Sequence, residues 1–360
     1  MTTARGPFVY GDRIQLSGPK NKRYSITLHP EGEFHTHWGA IPHSDIVGRP
    51  DASILTMPGG EEFLAMRPLL RDWVMAMPRG AAIVYPKDAA QIVSLADIAP
   101  GLRVIEAGVG SGALSLHLLR ALGSSGELHS IEIRDEFADI AAANIAAYYG
   151  GEAPENWRLS VGALQERLPE LEEPGSVDRV VLDMLAPWEC VDAAADALVA
   201  GGVLLAYVAT VTQLSRFVEA VRATGRFTHP ESQESMVRGW HVEGLAVRPD
   251  HRMVGHTGFL AIARKLADGT VLPELKRRAS KSNYSEEDVA AWTPDMVGEM
   301  VKSNKVLRKK VRDAQRFAAQ RGNPGDGTSE QVAQQPEGTA PQPEQGAAQW
   351  AAETPADGTE

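Results

Sequence analysis

The chain has 360 residues, 43% of them hydrophobic, with a formal net charge of −11 and one cysteine, Cys190. A lone cysteine excludes an intramolecular disulfide and a cysteine-based zinc cage, and fits a reducing compartment. Met1–Pro7 contains no apolar leader-like run, and no stretch approaches the roughly 18 apolar residues of a membrane span, so a cytoplasmic chain away from the membrane is expected.

Residues 1–65 hold short runs punctuated by Gly32, Gly39, Pro42, Gly48, Pro50 and Gly59-Gly60. Tyr24–Leu28 alternates like a strand, so the region reads as a small β domain. Phe63, Met66, Leu69, Leu70 and Trp73 fall at helical spacing and predict a helix over 62–78, with 66–80 linking to the next domain. From 81 to 268, strand-like and helix-like runs alternate. The strands are Leu102–Glu106, Glu127–Glu132, Trp157–Val161, Val177–Met184, Gly202–Val208, Gly239–Val247 and Thr257–Arg264. The helices are Ala113–Leu122, Glu136–Tyr148, Leu164–Leu168, Cys190–Leu198 and Val211–Thr224. This alternation predicts an α/β fold, a doubly wound, mostly parallel, seven-stranded sheet whose last two strands form an edge hairpin. Residues 269–320 read as a charged helical extension. Residues 321–360, with seven acids and one arginine, read as a disordered acidic tail. The tail carries −6, leaving −5 elsewhere, a balance that still permits a basic face.

The segment Glu106-Ala107-Gly108-Val109-Gly110-Ser111-Gly112-Ala113-Leu114 joins a strand to a helix through glycines. Glycines permit positive φ and close approach of backbone to a ligand, and a helix start offers free N–H groups. Glu132, at the end of the next strand, is placed to accept ribose hydroxyls. The loop also fits the pattern of nicotinamide enzymes. The acid Glu106 before the loop and the helix-free end of the sheet favour S-adenosylmethionine, and that sheet ending resembles the Rossmann-like domain of class I methyltransferases.

Asp183 closes the fourth strand, at the edge where doubly wound sheets bind ligands; the other reading is a helix cap. The following stretch is Asp183-Met184-Leu185-Ala186-Pro187-Trp188, not the Asn/Asp-Pro-Pro-aromatic run of amino-methylating nucleic-acid enzymes. A lone carboxylate suits an adenine ring nitrogen: it can accept a hydrogen bond from the 6-amino group and stabilise the cation formed at N1.

The chain resembles the tRNA (adenine-58, N1) methyltransferases, especially the actinobacterial TrmI-like form. The matching stretches are Glu33–Gly39, Tyr85–Asp88, Glu106–Gly112, Asp183–Trp188, Tyr207–Gln213, Arg238–Trp240 and Gly255–Phe259. The resemblance covers about residues 5–268. It implies a homotetramer that methylates an adenine in the T-loop of tRNA, with Asp183 as catalytic carboxylate. It also implies that Ser111, Gly112 and Ala113 contact the donor, Glu132 holds its ribose, Val84 and Phe137 line its pocket, and Ala163 and Leu164 flank its adenine. Phe137 departs from the polar or basic residue frequent in relatives.

Tyr85 and Tyr207 flank strand ends and could stack on an extruded base or pack on the sheet edge. His29, His35, His37, His43 and His256 read as turn and core hydrogen-bonding groups, and no metal is expected. The cations between 276 and 316 either hold phosphates or solvate a helix face. Competing functions are a class I methyltransferase for a protein or small molecule, a non-catalytic RNA-binding subunit, and a nicotinamide oxidoreductase.

Overall fold

The computed structural model describes residues 5–19, 22–273 and 304–322. Near the N-terminus, Arg13–Ser17 (β1), Arg23–Thr27 (β2), Glu33–Thr36 (β3), Gly39–Pro42 (β4), Ser53–Thr56 (β5) and Glu62–Met66 (β6) are strands. They form an antiparallel sheet in the order β2-β1-β6-β5 and a separate β3-β4 pair. Alternating side chains build the core: Ile14, Leu16, Tyr24, Ile26, Phe34 and Phe63 are buried together. Tyr24, Phe34 and Phe63 meet edge to face, the arrangement that aromatic quadrupoles favour.

The helix expected over 62–78 is corrected. Residues 62–66 are the strand β6, and only Leu70–Ala76 (α1) is helical. Phe63 and Ala65 face the core two residues apart, and β1 and β5 supply ladder partners on both sides. Pairing and burial there override the helical spacing.

The second region follows the order Pro86–Leu95 (α2), Arg103–Ala107 (β7), Ala113–Leu122 (α3), Glu127–Glu132 (β8), Asp135–Tyr149 (α4), Trp157–Val161 (β9) and Leu164–Leu171 (α5). It continues through Val177–Asp183 (β10), Val191–Ala197 (α6), Leu198–Val208 (β11), Val211–Thr224 (α7), Glu231–Glu234 (β12), Trp240–Glu243 (β13), Ala246–Pro249 (β14) and Phe259–Arg264 (β15). Among the described residues, seven strands form one sheet in the order β12-β15-β11-β10-β7-β8-β9. β7 to β11 run parallel, and β15 is antiparallel to its neighbours β11 and β12. One face is packed by apolar residues of α1 to α4, the other by those of α5 to α7. The chain winds outward from β7 through β8 to β9, then returns to β10 on the other side. The crevice between the carboxyl ends of β7 and β10 is therefore the switch point where such sheets bind ligands.

The sixth sheet strand is also corrected. Gly239–Val247 does not enter the sheet: among the described residues β13 and β14 pair only with each other, around Gly244, where φ is +54°. The sheet strand is β12, Glu-Ser-Gln-Glu, exposed at all four positions, so it carries no apolar alternation to reveal it. α2 was not foreseen; Pro86 at its first position, where the missing N–H costs nothing, was its signal.

Of the charged extension, Asn304–Gly322 (α8) is a helix laid on α4, where Leu307 and Ala314 are buried with Phe137, Ile140 and Ala143. The expectations for 274–303 and for the tail from 323 onward lie outside the described residues.

Candidate active site

β7 ends at Ala107 and the chain enters α3 through Gly108–Gly112. Gly108, Gly110 and Gly112 have φ of +84°, +57° and +80°, a region strained for residues with a Cβ. At Gly108 the demand is also steric: a Cβ there would lie 1.7 Å from the Asp183 carbonyl oxygen. The glycine loop and the end of β10 thus touch backbone to backbone. Gly112 caps α3, and Ala113 and Leu114 form its buried first turn.

Three carboxylates converge here. Glu106 is fully buried in β7; its Oε2 accepts hydrogen bonds of 2.7 Å from the hydroxyls of both Ser115 and Ser130. Its Oε1 is buried with no hydrogen-bond partner among the described residues. Glu132, at the end of β8, accepts the Gly110 N–H on Oε2 at 2.9 Å and the Arg134 N–H on Oε1 at 3.1 Å. Asp183 ends β10, beside Tyr207 of β11. Burial, with the charges of Glu106 and Glu132, pushes the Asp183 carboxyl up to about 8. Burial raises Glu106 to about 7 against the pull of its two serine hydroxyls.

The other expected residues are placed around this cluster. Val84 is buried, while Tyr85, next to it, is 38% exposed. Tyr207 is buried, and its hydroxyl donates to the Thr257 carbonyl at 2.7 Å. Burial raises its pKa. Gly162 N–H donates to the Glu132 carbonyl at 2.9 Å, which brings Ala163 and Leu164, at the start of α5, to the same edge. Phe137 packs against Gly80 on one side and joins the α8 cluster on the other. His43 is a buried hydrogen-bonding group, its Nδ1 accepting the His29 backbone N–H at 3.0 Å. His256 bridges Glu234 and the Ala209 carbonyl. A cavity of about 630 Å³ lined by Leu168, Asp196, Arg226 and Lys265 lies at the opposite end of the strands, away from these groups.

Sequence reasoning assigned no role to a network beside the crevice. Lys87 Nζ donates to Asp88 at 2.7 Å and to the Thr257 hydroxyl at 2.6 Å, and that hydroxyl donates to Asp88 at 2.7 Å. It also missed Asn144, whose Nδ2 donates to the carbonyls of Pro78 and Ser111, both at 2.9 Å. Lys87-Asp88 and Thr257 stood in matched stretches, but 170 residues separate Lys87 from Thr257 and no local pattern pairs them.

The family described as "tRNA methyltransferase complex GCD14 subunit" matches residues 62–247, and the family described as "TrmI-like N-terminal" matches residues 6–55. The chain belongs to the GCD14/TrmI methyltransferase family. A curated member, tRNA (adenine(58)-N(1))-methyltransferase TrmI of Thermus thermophilus, is 36% identical over 264 residues, 72% of this chain and 97% of that protein. A second, the tRNA (adenine(57)-N(1)/adenine(58)-N(1))-methyltransferase TrmI of Methanocaldococcus jannaschii, is 30% identical, covering 69% of this chain and 93% of its own. Among solved structures, a SAM-dependent O-methyltransferase from Thermotoga maritima is 30% identical with a TM-score of 0.67, covering 73% of this chain and 96% of that one. The fold of the Aquifex aeolicus tRNA (m1A58) methyltransferase TrmI matches with a TM-score of 0.63 at 23% identity, covering 73% and 100%.

Members of the GCD14/TrmI family use S-adenosylmethionine, and the residues present fit it. The donor carries a sulfonium and an ammonium, and three clustered carboxylates favour a cation. Glu106 Oε1 is an unused buried acceptor. Each Glu132 oxygen accepts one backbone N–H and keeps capacity for a ribose hydroxyl. The glycine loop leaves no Cβ between backbone and ligand.

Two expectations follow. Gly108→Ala should weaken donor binding at least 100-fold by calorimetry. Gly225→Ala, at a left-handed φ of +63° but with open space around it, should cost only about 1 kcal/mol of stability, the usual left-handed strain, and leave binding intact. Equal affinities in the two variants would show that the Gly108 contact does not shape the site. The second concerns pH. The raised carboxyls are ionised in the unfolded chain before the folded one, so apo stability should fall as pH rises past the ordinary carboxylate range toward about 8. A cationic donor recovers that loss. Its affinity should therefore rise between pH 6 and pH 8, more steeply than that of S-adenosylhomocysteine, which lacks the sulfonium charge. Parallel pH profiles for the two ligands would exclude the coupling.

Proposed function

We propose that this enzyme transfers a methyl group from S-adenosylmethionine to N1 of adenine 58 in the T-loop of tRNA, and that it works as a homotetramer in the cytoplasm, where its substrate is found. The observation that carries the reading is the backbone contact of Gly108 with Asp183, which joins the donor loop and an acceptor-facing carboxylate into one unit. The TrmI relatives of Thermus thermophilus and Methanocaldococcus jannaschii both carry adenine-58 N1 methylation in their names, which supports the target atom.

The donor supplies an electrophilic methyl group. Asp183, as a carboxylate, accepts a hydrogen bond from the 6-amino group of the adenine and so orients N1. The ring gains a positive charge on methylation, and the adjacent carboxylate stabilises that charge as it develops. Glu106 and Glu132 hold donor groups. Neither is required to take a proton, because adenine N1 carries none. Tyr207, its hydroxyl tied to Thr257, presents a fixed wall next to Asp183, and the exposed Tyr85 is free to stack on the base once it leaves the T-loop. Unstacking costs a few kcal/mol, which phosphate contacts elsewhere on the tRNA must offset.

The homotetramer reading is supported by the β13–β14 hairpin. Trp240, Val242, Leu245 and Val247 are 57%, 68%, 104% and 56% exposed, and Met236, Val237, Met253 and Val254 flank them, also exposed. A two-stranded ribbon with no core of its own is marginal in water, and a contiguous apolar surface of this kind marks an interface. Light scattering should give four chains for the wild type and fewer for Leu245→Asp. An unaltered mass in the variant would remove the hairpin from the assembly.

Purified enzyme, unmodified tRNA and S-adenosylmethionine labelled in the methyl group should yield label in 1-methyladenosine, lost when adenine 58 is replaced. Asp183→Ala should lower kcat by 100-fold or more with donor affinity kept within a few-fold. Donor binding without label in tRNA would redirect the search to a protein or small-molecule acceptor.

A further inference from the structure

A net charge of −11 opposes association with a polyanion, so a tRNA-binding face must be built locally. α8 is the described element where cations accumulate: residues 304–322 contain seven lysines and arginines and a single acid, Asp313. It lies beyond both segments matched by the family, 6–55 and 62–247.

The helix is two-sided. Leu307 and Ala314 are buried against Phe137, Ile140 and Ala143 of α4, with Val311 and Ala318 packed beside them. Phe317 meets Trp73 at 5.5 Å between ring centres, and the Arg13 guanidinium lies 3.9 Å from the Phe317 ring. Trp73 in turn meets Tyr148 near the C-terminal end of α4. α8 therefore lies along α4, with Leu307 toward the Phe137 end, where α4 leaves the Glu132 edge of the crevice. The opposite face exposes Arg308, Lys309, Arg312 and Arg316. Arg308 and Arg312 stand four residues apart, so they form a row of like charges that repel along the helix, with Asp313 the one acid beside it. Apolar docking holds this row in place, and a polyanion would relieve its repulsion.

We propose that the exposed face of α8, through Arg308, Lys309, Arg312 and Arg316, binds the phosphodiester backbone of the substrate tRNA. The proposal rests on the reading that tRNA is the substrate. It makes α8 a sequence-independent grip that runs beside the crevice while Asp183 handles the base. Backbone contacts of this kind position a nucleic acid and carry most of the salt dependence of its binding.

The test is the full-length triple variant R308E/K309E/R312E, measured for steady-state tRNA methylation between 50 and 200 mM salt, for donor affinity and for thermal stability. The KM for tRNA should rise at least tenfold with kcat within twofold. The slope of log affinity against log salt should become shallower by about 2, since each lost phosphate contact removes roughly 0.7–0.9. Donor affinity and melting temperature should not change. R308K/R312K should behave as wild type. If the glutamate variant folds poorly, R308Q/K309Q/R312Q should show the same KM effect at smaller size. Wild-type KM and salt slope in a folded variant would overturn the proposal. Wild-type enzyme that neither binds nor methylates tRNA would overturn the tRNA reading and this surface together.

Discussion

The approach of Gly108 to the Asp183 carbonyl is the constraint from which the rest of the site follows. β7 and β10 are neighbours with parallel register from Arg179↔Val104 to Leu182↔Ala107, and their outgoing chains must diverge to opposite faces of the sheet. Both turns occupy the same small space, and only a residue without a Cβ lets them share it. The consequence is chemical as well as steric. A loop whose amides can receive a ligand and a carboxylate that can receive its methyl acceptor are fixed relative to each other by main chain, with no flexible side chain between them.

The same crowding sets the electrostatics. Burial raises the proton affinity of Glu106 and Asp183, and the neighbouring carboxylates add to the effect. The protein offsets part of this cost with the hydroxyls of Ser115 and Ser130 and the amides of Gly110 and Arg134. The remainder is left for a cation. Such an arrangement favours a positively charged ligand, a trade of stability for binding common at functional sites. In the proposed reaction the same cost would bear on Asp183, whose charge is disfavoured until a positive charge stands beside it.

Around this centre the chain uses distant segments to hold the crevice in shape. Gly80 donates to the Ser111 hydroxyl, and Asn144 ties Pro78 to the Ser111 carbonyl, so the segment after α1 is strapped across the donor loop. On the other flank Lys87, Asp88 and Thr257 connect the start of α2 to the start of β15, and Thr257 passes the connection to Tyr207. α8 closes the outer layer by burying Phe137, the same residue that packs on Gly80. The cationic face is thereby mounted on the structure that holds the donor loop.

The sequence by itself determined the elements whose signals are local. β8, β9, α3 and α7 have the bounds that apolar periodicity and turn residues indicate, and the spacing of Glu106, the glycines, Glu132 and Asp183 put the candidate site at the carboxyl ends of three strands. Tertiary structure decided the elements whose identity depends on a partner. Residues 62–66 suit a helix until β1 and β5 offer a ladder. Glu231–Glu234 has no apolar pattern and is a strand because the edge of β15 needs a partner. The 239–247 run has strand-like residues but finds no place in the sheet. Hydrogen bonds such as Lys87 to Thr257 and Asn144 to Pro78 join residues far apart in the chain. So does the packing of α8 on Phe137. Periodicity reports which face of a segment is buried; only folding decides what buries it.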